Sequence, residues 1–244
     1  TAGGRQHGES GQRQHQAQDP AVSGQSEKDL SLMALADIYP LTFLSDLLAP
    51  IGDCQFNLRR LDEQSGSGDG RIWTARLAGP LWEVSLSLSP RRREAAAEVN
   101  AKIRALDGVR RQFLFEDKGY SPASGGTPGA SVKIASINAD RTAIALNSLP
   151  ASYRVTAGDR LSIAWSTGRY FFAEFAETVT ANGSGVTAQI AIMPSLPQSI
   201  ASGAAVELSR PRLKVIVPPG GFTPFTDVPG RLSQGASLTL LQKP

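Results

Sequence analysis

A chain of 244 residues, 41% hydrophobic and 19% charged, is long enough for one large β domain or two modest ones. Its net charge of +3 is too small to imply nucleic-acid binding. No apolar run approaches the ~18 residues of a membrane span, and no basic-then-apolar leader opens the sequence, which argues against membrane partners and a cleaved secretion signal.

Residues 1–32 form a Gln- and Gly-rich stretch without aromatic residues or hydrophobic period. Such a segment cannot bury enough surface to offset chain ordering by itself, so it reads as a polar arm held by a neighbouring subunit. An apolar lead-in over 38–51, broken by Pro40, precedes a strand at 56–61 and a loop at 65–70. A second strand is expected at 72–77, ending at a Gly79-Pro80 turn. Trp82, Val84, Leu86 and Leu88 then alternate with polar residues, the pattern of a half-buried strand.

A helix follows. Ser89 suits its cap and Pro90 its first turn, Ala96, Val99, Ile103 and Leu106 share one face, and Gly108 ends it. Residues 113–116 return to extended structure, and 119–129 read as a linker. Beyond it short strands recur at 132–137, 143–146, 160–165, 169–175, 185–192 and 205–208, a spacing that suits a small OB-like or SH3-like barrel. Two last strands, 213–217 and 237–241, are expected to rejoin the first sheet. The fold class is therefore mainly β. A β-sandwich domain with one packed helix (33–120 plus 210–244) is interrupted by the barrel (127–209).

The chemistry available is narrow. The two histidines, His7 and His15, both lie in the polar N-terminal stretch, and Cys54 is the one cysteine. Ser-His-Asp, Cys-His and Cys/His-zinc sites thus lack their groups over the rest of the chain, and no intrachain disulfide can form. Cys54 reads as a small apolar side chain. Paired carboxylates for a hydrolase would have to come from Glu83, Glu116, Asp117, Glu174 or Glu177; solvent-facing acids are the plainer reading. Asp62, Glu63 and Asp69 are too sparse for a calcium loop. Trp73, Trp82 and Trp165 each sit on an alternating strand and read as core. The expectation is a non-enzymatic protein with no cofactor. Two surfaces stand out as contact candidates: Tyr170, Phe171 and Phe172 for a glycan, and Arg91, Arg92, Arg93, Arg110 and Arg111 for an acidic partner. Three arginines at a helix N-terminus oppose its dipole, so local stability does not explain them.

Residues 81–90, a Trp-led strand ending in Ser89-Pro90, lead through a helix carrying Glu94-Ala95-Ala96 to Gly108 and the strand Phe113-Leu114-Phe115-Glu116-Asp117. Downstream come Thr156-Ala157-Gly158-Asp159, residues 190–196 and residues 206–211. In this order and spacing the pieces, spanning about residues 72–217, resemble the distal tail proteins of long-tailed phages and of related gene transfer agents. The resemblance implies a six-subunit ring at the far end of the tail, joining the tail tube protein to the baseplate hub or tail fibres and leaving a lumen through which DNA passes. It implies a β-sandwich belt domain, an outward OB-like domain, no catalytic residues, and a place in the virion after synthesis in the bacterial cytoplasm. The alternative is a carbohydrate-binding module that helps attach the particle to its host.

Overall fold

The computed structural model describes Thr1 and residues 38–40, 43–44, 51–66, 68–230 and 232–244. The chain divides into two compact units, Thr1–Ala36 and Asp37–Pro244. The polar arm expected over 1–32 lies outside the described residues, Thr1 apart; the second unit is mainly β.

In chain order its elements are β1 (Ile38–Tyr39), β2 (Ile51–Gly66), β3 (Ile72–Leu88), α1 (Arg93–Ala105), β4 (Gln112–Glu116), β5 (Lys133–Ile137), β6 (Ala143–Asn147) and β7 (Arg154–Val155). There follow β8 (Arg160–Ser166), β9 (Arg169–Phe175), β10 (Val179–Thr180), β11 (Ile190–Met193), β12 (Arg212–Ile216), β13 (Phe222–Thr223) and β14 (Ser237–Gln242).

The first sheet has the order β1-β4-β12-β14-β3-β2, with β13 added on β14. All its pairs are antiparallel except β1 with β4. Alternation sets its buried face: Trp82, Val84, Leu86 and Leu88 on β3 align with Leu238 and Leu240 on β14, Leu213 and Val215 on β12, and Phe113 and Phe115 on β4. Helix α1 covers this face through Ala96, Val99 and Ile103, and Leu106 continues the stripe. The layer opposite the sheet is thus the helix. It begins later than Ser89-Pro90 suggests. Arg92 is the N-cap, and its side chain, which has donors only, makes no capping bond; before it, Arg91 is held in extended form by a two-way backbone bridge to Ser233 (3.0 and 2.8 Å). Asp107 and Gly108 take left-handed φ of 51° and 62° at the helix end.

Between β4 and β12 the chain builds a second body. Its sheet runs β5-β6-β11-β9-β8, and the segment 204–207 bonds to both edge strands. Ile134 N–H donates to Ala204 O at 3.0 Å, while Ser162 and Glu207 exchange two backbone bonds of 2.9 Å. Both open edges are therefore covered and the strands close into a small barrel. Its core includes Ile134, Ile144, Leu161, Ile163, Phe175 and Ile190. The strand expected over 185–192 is confined to Ile190–Met193, and 205–208 contributes isolated bridges instead of a strand.

The bodies meet through β9. Its neighbouring residues face opposite ways, so Phe171 belongs to the barrel core and Phe172 to the core under α1. Phe172 stacks on Phe56 at 5.7 Å and meets Trp82 edge-on at 5.6 Å, and its carbonyl accepts the Trp82 indole N–H at 3.2 Å. Arg160 adds a second link. Its guanidinium lies 3.8 Å over Phe56 and pairs with Asp117 at 3.1 Å. The Tyr120 hydroxyl accepts the Arg160 backbone N–H at 2.7 Å.

Candidate interaction surface

Strands β2 and β3 are 16 and 17 residues long, about three times an ordinary strand. Their basal halves belong to the first sheet, where Phe56 faces Val84 and Leu58 faces Trp82 across the pair. Their outer halves outrun every other strand. Past Leu58 and Trp82, the register continues through Leu61↔Ala78, Asp62↔Arg76, Gln64↔Thr74 and Gly66↔Ile72. The chain runs straight through Gly79-Pro80, where a turn is expected from sequence. A register shift between Arg59 and Leu61 takes up the proline as a bulge, which spares the ladder the hydrogen bond that proline cannot donate.

The result is a two-stranded arm with both faces exposed. Ile72 (69%), Trp73 (68%) and Leu77 (68%) stand largely in solvent. The register is regular between Ile72 and Arg76, so Ile72 and Trp73 point to opposite faces. Trp73 is therefore not a core residue; its strand has left the sheet that would have buried it. Trp82 is core at 4% exposure, and Trp165 packs half-buried against the barrel core with Arg169 5.1 Å from its ring. The arm ends in a polar turn, where Asp69 accepts the Arg71 backbone N–H at 3.2 Å and pairs with its side chain at 3.5 Å.

At the root of the arm lies a cleft with two walls. One pocket of about 300 Å³ is lined by Arg60, Asp62, Arg76 and Pro80 from the arm and by Ile192 and Pro194 from the barrel. A second of about 290 Å³ includes Phe56, Leu58, Trp82, Glu174 and Phe175. The two share Ala176 and Met193, and Met193 is 41% exposed. Burial raises the pKa of the Glu174 carboxyl, opposed by the nearby Arg160 charge.

The glycan platform expected from sequence does not form. Phe171 and Phe172 are 5% and 2% exposed, because each ring anchors one of the two cores. Of the three only Tyr170 reaches the surface in part, beside Ser162 and Glu207. Four of the five arginines are engaged within the chain. Arg91 lies 5.0 Å from the Phe225 ring, Arg93 pairs with Asp227 at 3.2 Å, Arg110 with Asp107 at 3.3 Å, and Arg111 donates to the Tyr39 hydroxyl at 3.3 Å. Arg92 is exposed at the helix cap.

The acids are dispersed as well. Asp117 pairs with Arg160, Glu116 with Arg210 and Arg212 (3.5 and 3.8 Å), and Glu83 with Arg59 (3.8 Å). Glu177 accepts the Ala191 backbone N–H at 3.3 Å, and of the pair Glu174 alone lines the cleft. Asp62 and Asp69 engage Arg76 and Arg71. The Cys54 thiol, half-buried beside Asp117, has its pKa pushed up to about 12, by burial first and by the carboxylate second; it stays a thiol and a weak nucleophile.

No protein family and no curated protein matches this sequence.

Proposed function

We propose that this chain is a structural subunit that works by self-association, a distal-tail hub whose copies close into a ring between a tail tube and a baseplate or fibre hub. The observation that carries the reading is the β2–β3 arm. A monomer has no use for a strand pair that projects beyond its sheet with Ile72, Trp73 and Leu77 in water. Fully burying an aliphatic or aromatic side chain of this size is worth about 1.5–3 kcal/mol, so covering the three supplies a strong drive toward association. Long exposed edges are ordinarily blunted or covered.

The arm also fits the geometry of closure. A projecting element that meets a different surface on the next copy makes a head-to-tail contact, which gives a ring when the rotation closes. The strand, helix and returning-strand order from which the tail resemblance was drawn agrees with this reading, and the resemblance supplies the expected ring of six, the lumen for DNA and the position at the tail tip. The carbohydrate-binding alternative has lost its aromatic platform to the two cores and is not pursued.

Immunogold labelling of intact particles tests the assignment. Gold at the distal end of the tail, in a ring-sized cluster, is the expected result. Label on the capsid, or on no particle at all, would refute it.

A further inference from the structure

We infer that the two-walled cleft at the root of the arm is the receptor for the arm of a second copy of this chain. The inference rests on the self-association reading and names the surface that the arm meets.

Three features point to this occupant. First, the shapes correspond. The arm carries apolar residues on both faces, Ile72 on one and Trp73 on the other, as an element clasped from two sides does. The cleft offers two walls, one from the arm base and one from the barrel, with Leu58, Phe175, Ala176 and Met193 between them. Its pockets of about 300 and 290 Å³ are each near the lower end of the range for specific pockets.

Second, one pair of charges corresponds. Arg60 lines the cleft and Glu63 stands exposed on the outer arm, while Arg76 and Asp69 are engaged by Asp62 and Arg71 of the same chain. Third, the chain cannot satisfy itself. From Asp62↔Arg76, at the outer rim of the cleft, to Gly66↔Ile72 the register is regular, and at ~3.4 Å per residue the last paired residues stand roughly 14 Å beyond that rim. A paired β-ribbon does not fold back over so short a span, so each chain presents a filled hand and an empty socket to different neighbours. The polar turn at Asp69 and Arg71 leads the arm, which disfavours tip-first entry into a lipid surface and suits lateral docking on protein.

The test uses two full-length variants that block opposite halves of the contact. Trp73→Glu spoils the arm and keeps the cleft; Met193→Glu spoils the cleft and keeps the arm. Both positions are exposed, so neither change removes core packing. Native mass measurement of the wild-type chain should give an assembly of several copies, and each variant alone should be monomeric. An equimolar mixture of the two should give a species of two chains and stop there, since one good arm meets one good cleft and both free ends are spoiled. That dimer also shows that both variants are folded. If the wild type assembles and either variant assembles equally well, or if the mixture stays monomeric, the cleft is not the receptor, although self-association stands. A monomeric wild type removes the self-association reading and this inference with it.

Discussion

Phe171 and Phe172 differ by one position and by an entire hydrophobic core. Truncating Phe172 removes the stacking on Phe56 and Trp82 that joins the two bodies. Phe172→Ala should therefore lower stability by about 3–5 kcal/mol in chemical denaturation; a loss under about 1 kcal/mol would show that the ring is not a core anchor. Glu174 gives a pH-dependent counterpart. Its carboxyl is raised by burial, so in the window just above the ordinary carboxylate value the native state binds more protons than the unfolded state, and stability falls as pH rises through it. Glu174→Gln should raise the unfolding midpoint at neutral pH, with the gain shrinking as pH falls below the carboxylate range. A gain that is unchanged at acid pH would point to packing instead of charge. Neither role is readable from the residues alone. Alternation identifies an aromatic strand but not which two surfaces it separates, and Glu174 is flanked in sequence by nothing that forecasts its burial.

The β2–β3 arm was half legible. The strand pattern at 56–61 and 82–88 gives the two basal strands, since one buried face imposes period two, but not their pairing, which the register supplies. The outer half misleads for two physical reasons. Gly79-Pro80 is usually a turn, but a register shift absorbs it here. Trp73 alternates like Trp82, but only Trp82 has the sheet and Phe172 against it. Helix α1 was legible from its stripe because burial at Ala96, Val99 and Ile103 follows helical spacing; its start was not, because the bridge from Arg91 to Ser233 is a long-range contact. Removing the outer arm, residues 61–78, with a short Gly-containing turn in its place should leave the thermal midpoint within a few degrees of the wild type while abolishing assembly. Calorimetry together with sizing checks this; a large fall in the midpoint would mean that the arm belongs to the fold and not to an interface.

At the scale of the whole molecule, one β body is interrupted by another, and strands after the insertion complete the first sheet. β12 lies between β4 and β14, which are themselves more than a hundred residues apart. The mainly β class, the barrel strands and the return of the chain followed from strand spacing and turn residues. The closure of the barrel by 204–207 did not, since isolated bridges carry no periodic signal. The two bodies are tied by Phe172 and by the Arg160–Asp117 pair, and Ile72, Trp73 and Leu77 on the arm are large apolar side chains that the described fold leaves exposed. The purified full chain, weighed under native conditions across a dilution series, tests this most directly. A closed assembly of fixed copy number, six if the resemblance to distal tail proteins holds, is the predicted result; a single chain at every concentration would contradict the account.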